Sequence, residues 1–122
     1  MQAPATAAFR ALADRIAAAS ERAHGDPAAA RLLAVSKTRP AADIRALADA
    51  GQRAFGENYL QEAAAKIDAL AGLGLEWHFI GHLQSNKCRD IARRFDWVQS
   101  VDRERLLEPL AAGRAGAETR LQ

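Results

Sequence analysis

The chain has 122 residues, 49% of them hydrophobic and 26% charged, which suits one compact globular domain and leaves no room for a second. Seventeen basic residues against fifteen acidic give a net charge of +2, and the signs alternate along the chain instead of forming a basic block, which argues against a nucleic-acid partner. The single cysteine, Cys88, excludes an internal disulfide and points to a reducing, cytoplasmic setting, while Arg10, Asp14 and Arg15 break up the stretch from Met1 to Ala19 and argue against a signal peptide or membrane span.

From Pro4 to Ala23 the spacing of Phe9, Leu12, Ile16 and Ala19 predicts an amphipathic helix, ended by Gly25 and Pro27. Leu32 to Val35 is a short unbroken apolar run, as expected of a parallel strand buried on both faces. Pro40 opens a helix whose Ile44, Leu47 and Ala48 share a face, and Gly51 closes it. Arg53 to Gly56 predicts a brief strand, and Tyr59 to Leu70 a helix burying Leu60, Ala64, Ile67 and Ala71. Leu75 to Ile80 is the clearest strand. Ser85 is a suitable N-cap for a helix carrying Cys88, Ile91, Ala92 and Phe95 on one stripe. Trp97 to Val101 predicts a fourth strand, Leu106, Leu107 and Leu110 a fifth helix with Pro109 inside it, and Thr119 to Gln122 the first residues of a fifth strand. Strands alternating with helices at this spacing imply an α/β fold of parallel βαβ units, four of which make half of an eightfold barrel.

Reactive groups in such folds gather at the C-terminal ends of the strands. Those ends are Ser36-Lys37-Thr38, Gly56-Glu57-Asn58, Gly81-His82-Leu83-Gln84 and Ser100-Val101-Asp102. Lys37 follows an apolar strand directly. Either it reaches into solvent, or its amine is held for attack on an aldehyde. Asn58 and Glu57 are placed to orient a ring substituent or a water, with helix capping the simpler role for Asn58. His78, His82 and Cys88 match no closed metal-ligand spacing, so no metal is expected. Gln84 to Lys87 form a polar helix start suited to an anion, although capping by Ser85 accounts for the same residues. Asp102 and Arg103 fit a cap and its neighbour.

Taken together, Leu33-Ala34-Val35-Ser36-Lys37-Thr38, Phe55-Gly56-Glu57-Asn58-Tyr59-Leu60-Gln61-Glu62, Trp77-His78-Phe79-Ile80-Gly81-His82-Leu83-Gln84-Ser85-Asn86-Lys87 and Val98-Gln99-Ser100-Val101-Asp102 resemble the successive signatures of the pyridoxal phosphate homeostasis family, also called the YggS/PROSC family. The resemblance implies a single barrel domain similar to the N-terminal domain of alanine racemase, with pyridoxal 5'-phosphate (PLP) held as a Schiff base on Lys37. It places Asn58 and His82 at the cofactor mouth. It also implies a monomeric carrier or regulator of PLP and amino-acid balance without established turnover; a PLP-dependent racemase or decarboxylase of the same barrel type is the alternative, while the four-segment match argues against a sugar-phosphate aldolase. Family members are about twice this length, as a barrel of roughly 250 residues requires. The chain is therefore expected to be the N-terminal half of the barrel, residues 1–122, lacking the later phosphate-binding loops and holding PLP weakly or not at all. Open strand edges and a bare interior would favour self-association, and an inactive remnant is the plainest alternative.

Overall fold

The structure is a computed structural model that describes residues 3–122, with side chains from residue 5 onward. Met1 and Gln2, part of the N-terminal stretch considered above, lie outside the described residues. The elements in order are α1 (Ala3–His24), β1 (Ala34–Val35), α2 (Ala41–Asp49), β2 (Ala54–Glu57), α3 (Leu60–Ala69), β3 (Glu76–Phe79), α4 (Cys88–Arg94), β4 (Trp97–Val98) and α5 (Leu107–Arg114). Single 3₁₀ turns, Ser85–Lys87 and Glu104–Leu106, lead into α4 and α5. The four strands form one parallel sheet in the order β1-β2-β3-β4. The five helices and the first four strands are present: β1, β3 and β4 are shorter than expected, β2 has the expected length but begins one residue later, and no regular strand is formed over Thr119 to Gln122.

Register explains which side chains are covered. Ala34 pairs with Phe55, and Phe55 in turn with Trp77, so these three face the helices. Val35, Gly56 and His78 are likewise in line and face the other side. On the helix side Phe55, Trp77 and Phe79 pack with Ile44, Ile91 and Phe95, and the Phe79 ring meets Phe95 edge-on at 5.2 Å. Each fully buried ring of this kind stabilises the fold by about 1.5–3 kcal/mol. The opposite face is partly bare, since Val35 is 52% exposed. The expectation that β1 is buried on both faces is thus corrected: Ala34 is half-buried and Val35 is exposed, although Gly56 and His78, in line with Val35, are buried.

Two local expectations also change. Helix α3 buries Ala63, Lys66 and Leu70, while Leu60, Ala64 and Ile67 are half-buried and Ala71 is exposed. Ser85 does not cap a helix. It sits inside the 3₁₀ turn, and no side-chain capping bond is made at Gln84 before that turn or at Lys87 before α4. Pro109 is accommodated because it falls in the first turn of α5, where a backbone N–H has no intrahelical acceptor to lose. Beyond α5, the Gln122 N–H donates to the Asp96 carbonyl at 3.0 Å and the Val98 N–H to the Gln122 carbonyl at 2.9 Å, so strand pairing does resume on the outer edge of β4.

Candidate functional site

The parallel ladders run past the strand ends and bring four loops side by side. Ser36 N–H donates to the Gly56 carbonyl, Ile80 N–H to the Glu57 carbonyl, and Gln99 N–H to the Phe79 carbonyl, at 2.9, 2.9 and 3.0 Å. The Ser100 hydroxyl donates to the Gly81 carbonyl, and Arg103 to the Leu83 carbonyl, which ties the β4 loop to the β3 loop. Arg103 also pairs with Asp102 at 3.1 Å, and that hydrogen bond holds the Asp102 carboxyl below its ordinary pKa. Asp102 therefore partners Arg103, and the 3₁₀ turn begins only after Arg103.

Lys37 lies in the turn just beyond β1 and is solvent-exposed. Ser36 before it is buried, and its hydroxyl donates to the Glu57 carboxylate. Thr38 after it adopts φ 64°, a left-handed conformation rare for a β-branched residue. Its N–H donates to Glu62 Oε1 at 2.7 Å. Beneath the turn lies Lys66, only 7% exposed, whose ammonium donates to the Ser36 carbonyl at 2.9 Å, to both Glu57 carboxylate oxygens at 3.0 and 3.1 Å, and to Glu62 at 2.8 Å. Lys66, then the Thr38 N–H, hold the Glu62 carboxyl below the usual glutamate range. Glu57, considered above for orienting a ligand, instead points to the helix side, because it is in register with Phe79. Sequence reading missed Lys66 altogether. The signal available was the Glu62–Lys66 spacing of four on a helix whose strand neighbour carries a carboxylate at its end.

Asn58 and His82 come together. They line one cavity of about 460 Å³ with Tyr59, Gly81, Gln84 and Lys87; Lys37 is not part of its wall. Asn58 does not cap α3, whose N-cap position is Tyr59. Its Oδ1 is instead a buried oxygen without a hydrogen-bond partner. Gly81 permits this approach, since a Cβ there would meet the Asn58 carbonyl oxygen at 2.6 Å. His78 and His82 separate: His82 is exposed, whereas His78 is 5% exposed and stacks on Trp97 at 5.2 Å. His78 Nδ1 accepts from the Gln99 amide nitrogen at 2.9 Å, so its proton sits on Nε2, 2.6 Å from Glu76. Cys88 is buried, its thiol directed to the Gln84 carbonyl at 3.4 Å, and burial pushes its pKa up despite the opposing charge of Arg103. Among the described residues no three His, Cys, Asp or Glu side chains gather as a metal site, and no helix is long and apolar enough to cross a membrane.

No family model matches the chain. It is 55% identical over 103 residues to the pyridoxal phosphate homeostasis protein of Pseudomonas aeruginosa, covering 84% of this chain and 45% of that protein. It is 54% identical over 96 residues to the protein of the same name from Escherichia coli K12, covering 76% and 41%. Among solved structures it is similar to PipY of Synechococcus elongatus PCC7942 with PLP bound, at TM-score 0.67 and 49% identity, covering 80% of this chain and 46% of that one. A protein from Bifidobacterium adolescentis described as unknown matches at TM-score 0.75 and 37% identity, covering 87% and 47%. The chain spans a little under half the length of these curated relatives. Over the residues it shares with them, the chain belongs to the pyridoxal phosphate homeostasis family.

Proposed function

We propose that this chain contributes to PLP homeostasis as part of a non-catalytic PLP-binding protein, with the cofactor held through its aldehyde on Lys37. In this reading residues 1–122 form half of a (β/α)₈ barrel, the other half supplying the phosphate loops. The observation that carries the proposal is the extent of the shared sequence. A match of 103 residues on a chain of 122 leaves 19 outside it, so all four strand ends fall within it at whichever terminus those 19 lie.

The site residues are compatible with such a ligand. Asn58 and Gly81 pack against each other on the cavity wall, and Asn58 Oδ1 has no partner within the chain, which leaves it an acceptor for a polar ring substituent. The chain has three lysines, and they differ in availability. Lys66 is buried with its ammonium fully engaged, Lys87 is half-buried on the cavity wall, and Lys37 is exposed. Bound PLP would supply an aldehyde carbon that joins the lysine nitrogen as C=N, the oxygen leaving as water.

Incubation of the complete barrel that this reading requires with excess PLP, followed by borohydride reduction and peptide mapping, tests the proposal. The adduct is expected on Lys37 in preference to Lys87, with Lys66 unlabelled. Equal labelling of Lys37 and Lys87, or a Lys37→Ala variant that takes up as much label, would overturn it.

A further inference from the structure

The buried ion cluster under the first strand end has no part in the binding role assigned above to Lys37, Asn58 and His82. Its bonds nevertheless converge on one place. The carbonyl of Ser36 belongs to the peptide that precedes the Lys37 Cα, and Lys66 donates to it at 2.9 Å. The N–H of Thr38 belongs to the peptide that follows that Cα, and Glu62 accepts it at 2.7 Å. Lys66 and Glu62 are themselves joined at 2.8 Å, so a single bonded unit grips both peptide planes around Lys37. With both planes held, the backbone dihedrals of Lys37 are fixed, and so is the direction in which its side chain leaves the chain. Glu57 anchors the unit from the strand, fully buried, bonded to Lys66 through both oxygens and to the Ser36 hydroxyl.

We infer that Lys66 and Glu62 are positioning residues that clamp the backbone on either side of Lys37 and so aim its amine for capture of an aldehyde. The inference rests on the PLP-binding reading given above. Two observations set the cluster apart from an ordinary structural ion pair. Burying an ion pair often stabilises a fold no more than apolar packing of the same volume, so a lysine on the buried face of α3 calls for another explanation. The left-handed φ of 64° at Thr38 is the second, since a β-branched residue keeps that conformation only where its surroundings enforce it, and Glu62 holds its N–H.

Glu62 gives the cleaner test because its side chain is 35% exposed, whereas Lys66→Met leaves the buried Glu57 unpaired and endangers folding. Glu62→Ala removes the acceptor for Thr38; Glu62→Gln keeps an oxygen in place. The complete barrel, unsubstituted and with each substitution, is labelled with PLP and borohydride, and amide hydrogen exchange at Thr38 is followed in the ligand-free proteins. Glu62→Ala is expected to reduce labelling of Lys37 about tenfold, the scale of the charge-assisted hydrogen bond that holds the Thr38 N–H, with Lys87 labelling unchanged. Thr38 exchange is expected to accelerate in parallel. Glu62→Gln is expected to restore most of both. Undiminished Lys37 labelling in Glu62→Ala overturns this inference alone. No preference for Lys37 in the unsubstituted barrel overturns the binding reading and this inference with it.

Discussion

Thr38 is the only non-glycine residue with positive φ among the described residues, and it sits beside Lys37. Such a conformation stores roughly 1–3 kcal/mol of strain at a β-branched residue. Thr38→Gly should release it, offset in part by about 0.5–1 kcal/mol from the greater freedom of glycine in the unfolded chain. The expected outcome is a melting temperature equal to or above that of the parent, with weaker borohydride labelling of Lys37 because the turn is less constrained. A clear drop in melting temperature would contradict the strain. At this scale sequence reading succeeded with Lys37 as a strand-end residue and failed with Lys66. The predicted buried stripe of Leu60, Ala64, Ile67 and Ala71 holds only apolar residues, whereas the residues buried are Ala63, Lys66 and Leu70. An ammonium supplied with four oxygens can lie inside, but three of them come from β2 and the turn after β1, and only the Glu62 contact is local in the sequence.

Helices α4 and α5 show how much an element depends on its neighbour. A Cβ at Gly113 would lie 2.3 Å from the Arg89 carbonyl oxygen, so α5 crosses α4 at a separation only glycine permits. The next residue completes the contact: Arg114 donates to the Ala92 and Phe95 carbonyls at 3.0 and 2.8 Å, satisfying acceptors freed at the end of α4, and to Thr119 beyond α5. Helix propensity alone favours Gly113→Ala by about 1 kcal/mol. Overpacking against a backbone atom outweighs it, and we expect a net loss of about 1–3 kcal/mol in chemical denaturation. A more stable Gly113→Ala chain would show that the two helices are not so closely packed. The stripe of Cys88, Ile91, Ala92 and Phe95 was fully readable, since each is an apolar residue at helical spacing and each is buried. The start of that helix was not, because a serine at the right place caps only if the chain leaves it in an extended conformation, and here it lies inside a 3₁₀ turn.

For the whole molecule, the carboxylates tied into the strand-end loops set the response to acid. Glu62 has a folded pKa below its ordinary value because of Lys66 first and Thr38 second, and Asp102 because of Arg103. A group depressed in this way adds stability that is present above its unfolded pKa and drains away as pH falls through the folded value. The melting temperature is therefore expected to hold near neutrality and to fall as the pH passes below the ordinary carboxylate range. In Glu62→Gln that fall should be shallower, and a parallel acid profile in the two proteins would show that Glu62 has no part in it.

Composition, helical and strand periodicity and the four strand-end segments were enough to determine an α/β chain of parallel units, the order of its elements and the family to which it belongs, because each of those signals is local in the chain. Tertiary structure alone decided that one face of the sheet is covered and Val35 is bare, that Glu57 turns toward α3, and that Lys66 joins the two peptides around Lys37. Those outcomes depend on register and on packing between segments twenty and thirty residues apart, as in the bonds from Ser36 to Gly56 and from Lys66 to Ser36. Contacts of that range are made only once the βαβ units are laid side by side.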